Sequence, residues 1–148
     1  MSKILSTAAA ISFREKSAWI TLVTVVVCFG AYFGSIATGN VSPRGFGAVH
    51  LLLICVAALV VLQIGGHVVA AALAPKDARA PRDERERLIA WRAQSLGYHV
   101  LMVGVLTLGA AGHFGHPVPD LLNFALLDVV VAALVVAVAQ IVMYRRGA

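Results

Sequence analysis

Gln63 and His67 stand four residues apart, and Arg92, Ser95 and His99 follow one another at i, i+3 and i+7. On a helix each set shares one face. An amide, two imidazoles, a guanidinium and a hydroxyl can hold the carbonyls of a quinone head group, pass a proton, or ligate haem through the two imidazoles. They can equally bond one another across two helices and fix their register. Counting ~1.5 Å per residue from the ends of two antiparallel neighbours, His67 is level with Ser95 and Gln63 with His99. The two histidines then differ in depth by roughly 7 Å, which disfavours a haem between them. Interhelical hydrogen bonding is the leading reading, and a quinone or other cofactor site is the rival.

A second set is His50, His113, His116 and Asp128, with His113 and His116 forming an HxxH in the run His113-Phe114-Gly115-His116-Pro117. Imidazole and carboxylate ligands suit zinc or another divalent metal. The plainer reading is a solvated loop in which Asp120 caps the following helix. Asp128 is the one acidic residue well inside an apolar stretch, where a carboxylate calls for a partner or a function, as in proton-coupled transport of a small solute. His50 is its expected partner, with Tyr98 or His99 as further choices.

A third set is purely charged: Arg14, Glu15 and Lys16 before one apolar run, and Asp83, Glu84, Arg85, Glu86 and Arg87 before another. Asp83 with Glu86 three residues on reads as a capping box, and Arg and Glu of the two clusters could pair across helices. This collar is the expected contact surface for a partner. Phosphate loops, GxSxG and HExxH are absent from the sequence, so nothing in it spells out an enzyme.

What positions these residues is a chain of 148 residues that is 60% hydrophobic and 13% charged, with a mean hydropathy of +0.89. Four apolar runs, 18–38, 46–73, 88–112 and 121–144, each exceed the ~20 residues that cross a bilayer core of about 30 Å. They lack the alternation of a barrel strand, and in lipid a helix alone satisfies its own backbone. The expected fold is therefore all-α: one integral membrane domain over 1–148, a four-transmembrane-helix bundle. Cys28 and Cys55 fall on different helices near mid-membrane and read as small packing residues rather than a redox pair.

The net charge of +5 would suit nucleic acid, but its placement excludes that reading. Of 12 Lys and Arg, 11 lie in three segments: Lys3, Arg14 and Lys16; Lys76, Arg79, Arg82, Arg85, Arg87 and Arg92; Arg145 and Arg146. The positive-inside rule puts both termini and the 74–87 loop in the cytoplasm, next to anionic lipid head groups, with Arg44 alone outside. Trp19, Trp91 and Tyr144 fall at the same interface. Residues 1–17 form an interfacial segment in which Ile4, Ala8 and Ile11 suit a short amphipathic helix; no cleavage site is evident, so the first span is expected to stay as an anchor. Gly30-x-x-x-Gly34 would let a neighbouring helix approach closely, within the chain or in a dimer.

An internal echo is also present. Arg14-Glu15-Lys16 parallels Arg85-Glu86-Arg87, and Val56-Ala57-Ala58-Leu59-Val60-Val61 recurs as 131–136, which reads as a parallel duplication of a helical hairpin.

With Phe13-Arg14-Glu15-Lys16-Ser17-Ala18-Trp19-Ile20 and Asp83-Glu84-Arg85-Glu86-Arg87-Leu88-Ile89 both in place, the chain resembles a group of small, uncharacterised bacterial four-helix inner-membrane proteins. These share a FREKSAWI-like opening and a DERE/D-R-LI motif before the third helix. The resemblance implies a bacterial inner-membrane location and supplies no activity, cofactor or site residues. The expected function is a non-enzymatic accessory or regulatory membrane subunit, acting through a membrane-protein partner or as a homo-oligomer. The alternative is a protein that binds a quinone, haem or metal, or transports a small solute.

Overall fold

The computed structural model describes residues 13–75, 79–81 and 83–146. It contains four long helices, α1 (Phe13–Ala37), α2 (Phe46–Leu73), α3 (Glu84–His113) and α4 (Val118–Arg146), each long and apolar enough to cross a bilayer. The α2 boundaries coincide with the expected run, and α3, at 30 residues, is about 45 Å long. One expectation moves: residues 13–17 belong to α1 rather than to a separate interfacial segment, because the helix runs unbroken through Arg14-Glu15-Lys16. The amphipathic segment anticipated before them lies outside the described residues.

Local chemistry sets the helix ends. Asp83 caps α3 by accepting the Glu84 amide at 2.7 Å, while Glu86 turns to Arg14 instead of closing a capping box. At the other end of α3, Gly115 adopts φ +82. That left-handed turn lets the Gly115 amide reach the Gly112 carbonyl and the His116 amide reach that of Ala111, the paired bonds of a Schellman stop. Gly39, at φ +74, ends α1 in the same conformation. Pro119 sits in the first turn of α4, where a missing amide hydrogen breaks no helical bond.

The helices pack in the order α2, α1, α4, α3, so α1 and α4 are central and α2 and α3 stand at the edges. Val25 and Phe29 of α1 meet Val130 of α4 in one buried cluster, joined by Leu52 and Leu59 of α2. Cys28, Tyr32 and Cys55 form a second, in the α1–α2 seam, where both thiols are free and buried. The α3–α4 seam is closer: a Cβ on Gly97 would stand 2.3 Å from Val136 and 3.3 Å from the Ala132 carbonyl oxygen, and the neighbouring Ala93 is 0% exposed. Small residues here let the two backbones approach, as helices in lipid require. Large apolar side chains such as Val27, Leu53, Val61 and Leu106 face outward, as lipid-facing positions should.

Two expectations about packing change. Gly30 and Gly34 have open space where a Cβ would stand, so within the chain this GxxxG packs against nothing, and the close-approach glycines are Gly66 on α2, against Ile20 of α1, and Gly97 and Gly104 on α3. A duplicated hairpin would match the α1–α4 contact with an α3–α2 contact, yet the principal helix pairs are α3–α4, α1–α2 and α1–α4. The two copies of the Val-Ala-Ala-Leu-Val-Val run also differ in setting, since Ala57 is exposed while its counterpart Ala132 is buried.

Candidate functional site

The polar groups of the spans fall into separate places, not one cluster. On α2, His67 Nδ1 lies 2.7 Å from the Gln63 carbonyl oxygen, so that nitrogen carries the hydrogen. Nε2 is left as an acceptor for the Ser17 hydroxyl of α1, 2.9 Å away. One turn on, the Thr21 hydroxyl donates to Gln63 Oε1 at 3.5 Å. Gln63 and His67 therefore bond to α1, not to α3, because α1 occupies the seam beside α2. Ser17 and Thr21 were missed in the sequence, although their i, i+4 spacing matches that of Gln63 and His67.

Arg92, Ser95 and His99 stand on α3 and are exposed. His99 donates Nδ1–H to the Ser95 carbonyl at 2.6 Å, and its ring meets Tyr98 edge-on at 5.8 Å. His50 makes the same bond back to Phe46, at 3.1 Å. Thus His50, His67 and His99 each tie one nitrogen to the carbonyl four residues back, and of the three His67 has its second nitrogen engaged across a seam. His67 and His99 do not meet, so the joint cofactor site of Gln63, His67, Arg92, Ser95 and His99 is not assembled by the fold.

No three of the proposed metal ligands His50, His113, His116 and Asp128 come together either. Asp120 is held by Arg44, with Nη2 to Oδ2 at 2.9 Å and Nε to Oδ1 at 3.4 Å. This contact raises the Arg44 pKa above its ordinary value, first through the hydrogen bond and then through the charge of Asp120. His116 packs edge-on against Phe124 at 5.9 Å, and His113 against Phe114 at 6.2 Å. Among the described residues no three His, Cys, Asp or Glu side chains converge on a point that could hold a metal. Beside the Arg44–Asp120 pair lies a cavity of about 270 Å³ lined by Tyr32, Phe46, Leu52, Asn123 and Leu126.

The charged collar links helices within the chain. Arg14 Nε lies 3.6 Å from Glu86 Oε2, joining α1 to α3, and Arg145 Nε lies 3.0 Å from Glu15 Oε1, joining α4 to α1. The Arg145 guanidinium also stands 5.4 Å over the Trp19 ring. Asp83 serves as the α3 cap. Lys16, Glu84, Arg85 and Arg87 are exposed around these pairs.

Asp128 occupies a place of its own. It faces Gly104 of α3 so closely that a Cβ there would overlap the carboxylate, 1.7 Å from Oδ1. It lines an open groove of about 430 Å³ with Val100, Val103, Thr107, Leu127 and Val131. Among the described residues no hydrogen bond or ion pair reaches it. His50 and His99 bond to their own helices instead, and Tyr98 turns its ring to His99.

Compared with known proteins, the chain matches no family model, no curated protein and no solved structure.

Proposed function

We propose that this chain is a small multi-pass protein of a bacterial inner membrane, working without catalysis as a subunit that associates with another membrane protein. Its termini and the 74–83 connection lie in the cytoplasm in this reading, where Lys16, Arg87 and Arg146 meet anionic head groups. The FREKSAWI-like and DERERLI runs, alike in small bacterial inner-membrane proteins, support the location.

One observation carries the association. Helix α3 packs chiefly on α4, and its outward side carries Arg92, Ser95 and His99. Taking α1 and α3 as parallel and Arg14 as level with Glu86, His99 falls near the depth of Cys28, about 20 Å along α1. An imidazole at that depth is costly against lipid and is relieved by a neighbouring helix. The two imidazoles of a cofactor site, by contrast, are apart, His67 in the α1–α2 seam and His99 on the outward side of α3.

Extraction from native membranes in a mild detergent, followed by intact-mass measurement of the complex, tests this. A stoichiometric assembly heavier than the 15.5 kDa chain is expected. A uniform monomer would contradict the reading.

A further inference from the structure

We propose that the groove between α3 and α4 seats one transmembrane helix of a partner protein, and that this helix brings a basic side chain, Lys or Arg, to Asp128. The proposal rests on the subunit reading above and names the chemistry of its partner.

The groove is a track, not a pit. The hollow of about 430 Å³ at Asp128 meets a second of about 410 Å³, lined by Leu96, Val131, Leu134, Val135, Val138 and Met143. Val131 belongs to both. From Phe124 to Met143 the track follows α4 for about 29 Å, close to the thickness of a hydrocarbon core. That length fits a helix crossing the membrane, whereas a small ligand would need only part of it.

The lining is apolar except for Asp128 and Thr107, and the Thr107 hydroxyl is tied back to the Gly104 carbonyl at 2.7 Å. Asp128 is thus the one polar group left to bind an occupant. Gly104 lets it sit in the track, since any side chain there would displace the carboxylate. An uncompensated carboxylate in such surroundings is relieved most by an opposite charge. An acyl chain filling the groove would leave it unanswered.

A second copy of this chain fits less well. His67 is engaged with Ser17, and His50 stands on α2 at the far edge of the bundle, which leaves His99 as the basic group beside the groove. Asp128 is level with Gly104, five residues and so about 7 Å from His99 along α3. Side chains lean toward the N-terminus of their own helix, and α3 and α4 are antiparallel, so His99 and Asp128 lean apart. Two copies related by an axis along the membrane normal keep that separation.

The test uses the full chain in phosphatidylethanolamine–phosphatidylglycerol vesicles, labelled for energy transfer to a synthetic Leu/Ala transmembrane helix. One probe carries a single mid-span Lys and its twin carries norleucine there. Binding of the Lys helix at least tenfold tighter than its twin is expected, with Asp128→Asn abolishing the difference. The twin comparison needs no change in the protein, so a variant that fails to fold leaves the test intact. Equal binding of the two helices, no binding of either, or a preference that survives Asp128→Asn overturns the proposal. Self-association of the chain that Asp128→Asn weakens overturns it in favour of a second copy. A heavy native assembly whose mass is unchanged by Asp128→Asn sinks this inference and leaves the subunit reading standing.

Discussion

Tyr32 of α1 donates its phenolic hydrogen to Asn123 Oδ1 of α4 across 2.8 Å, while the Asn123 amide donates to the Pro119 carbonyl at 3.0 Å. A hydrogen bond between residues 91 apart in sequence pins the α1–α4 seam where the Arg44–Asp120 pair closes the same end of the bundle. Tyr32→Phe keeps the ring that packs on Cys28 and Cys55 and removes the hydroxyl alone. Interhelical hydrogen bonds in lipid are worth about 0.6 kcal/mol and up to ~1.7. A loss in that range is expected from unfolding in mixed micelles, and an unchanged midpoint would show that the bond does not hold the seam.

The His67–Ser17 bond predicts a coupling that identifies the neighbour of α2. A double-mutant cycle of Ser17→Ala with His67→Leu should give a coupling of roughly 0.6 kcal/mol, at most ~1.7. The corresponding cycle of His67→Leu with Ser95→Ala should give none, because Ser95 stands on α3, at the far edge of the helix order. Coupling in the second cycle and none in the first would reverse the order of the helices.

Glycines of the bundle should divide sharply. Gly97→Ala puts a methyl into Val136 and close to the Ala132 backbone oxygen, so it forces α3 away from α4 and should cost about 1–3 kcal/mol. Gly30→Ala and Gly34→Ala meet open space and should lie within about 0.5 kcal/mol of the wild type. The same unfolding assay reads all three. A large loss at Gly30 or Gly34 would mean that a second chain packs there.

The two ion pairs at opposite ends should differ in their response to salt. Arg44 is exposed, so the effect of Asp120→Asn should be small and should fade near 1 M salt. Glu15 is only 8% exposed, and Arg145 also covers Trp19, so Arg145→Ala should cost more and keep more of its effect in salt. Unfolding midpoints at low and high salt decide it.

The four helices and their approximate ends were legible because a bilayer demands runs of ~20 apolar residues and glycine and aspartate mark their stops. The Asp83 cap and the Arg14–Glu86 pair were legible for similar reasons, being set by spacing and by charge at one level. The partners of the buried polar groups were not. Whether Gln63 and His67 meet α1 or α3 depends on helix order and rotation, and apolar sequence leaves both open. Gly30-x-x-x-Gly34 drew attention as a motif, while Gly97 and Gly104, seven apart, mark the seam that closes. Asp128 was recognisable as an exception from its position alone; its cradle at Gly104 became visible only once α3 and α4 were paired.

The central claim is that the α3 side of this bundle is covered by another membrane protein, and photo-crosslinking in native membranes tests it most directly. A photoreactive residue is placed at position 99 or 103, on the α3 stripe that includes Leu96 of the groove, or at the exposed α2 positions 61 and 64. Protein adducts of one discrete mass are expected from 99 and 103, with lipid adducts alone from 61 and 64. Lipid adducts alone at all four positions would contradict the account.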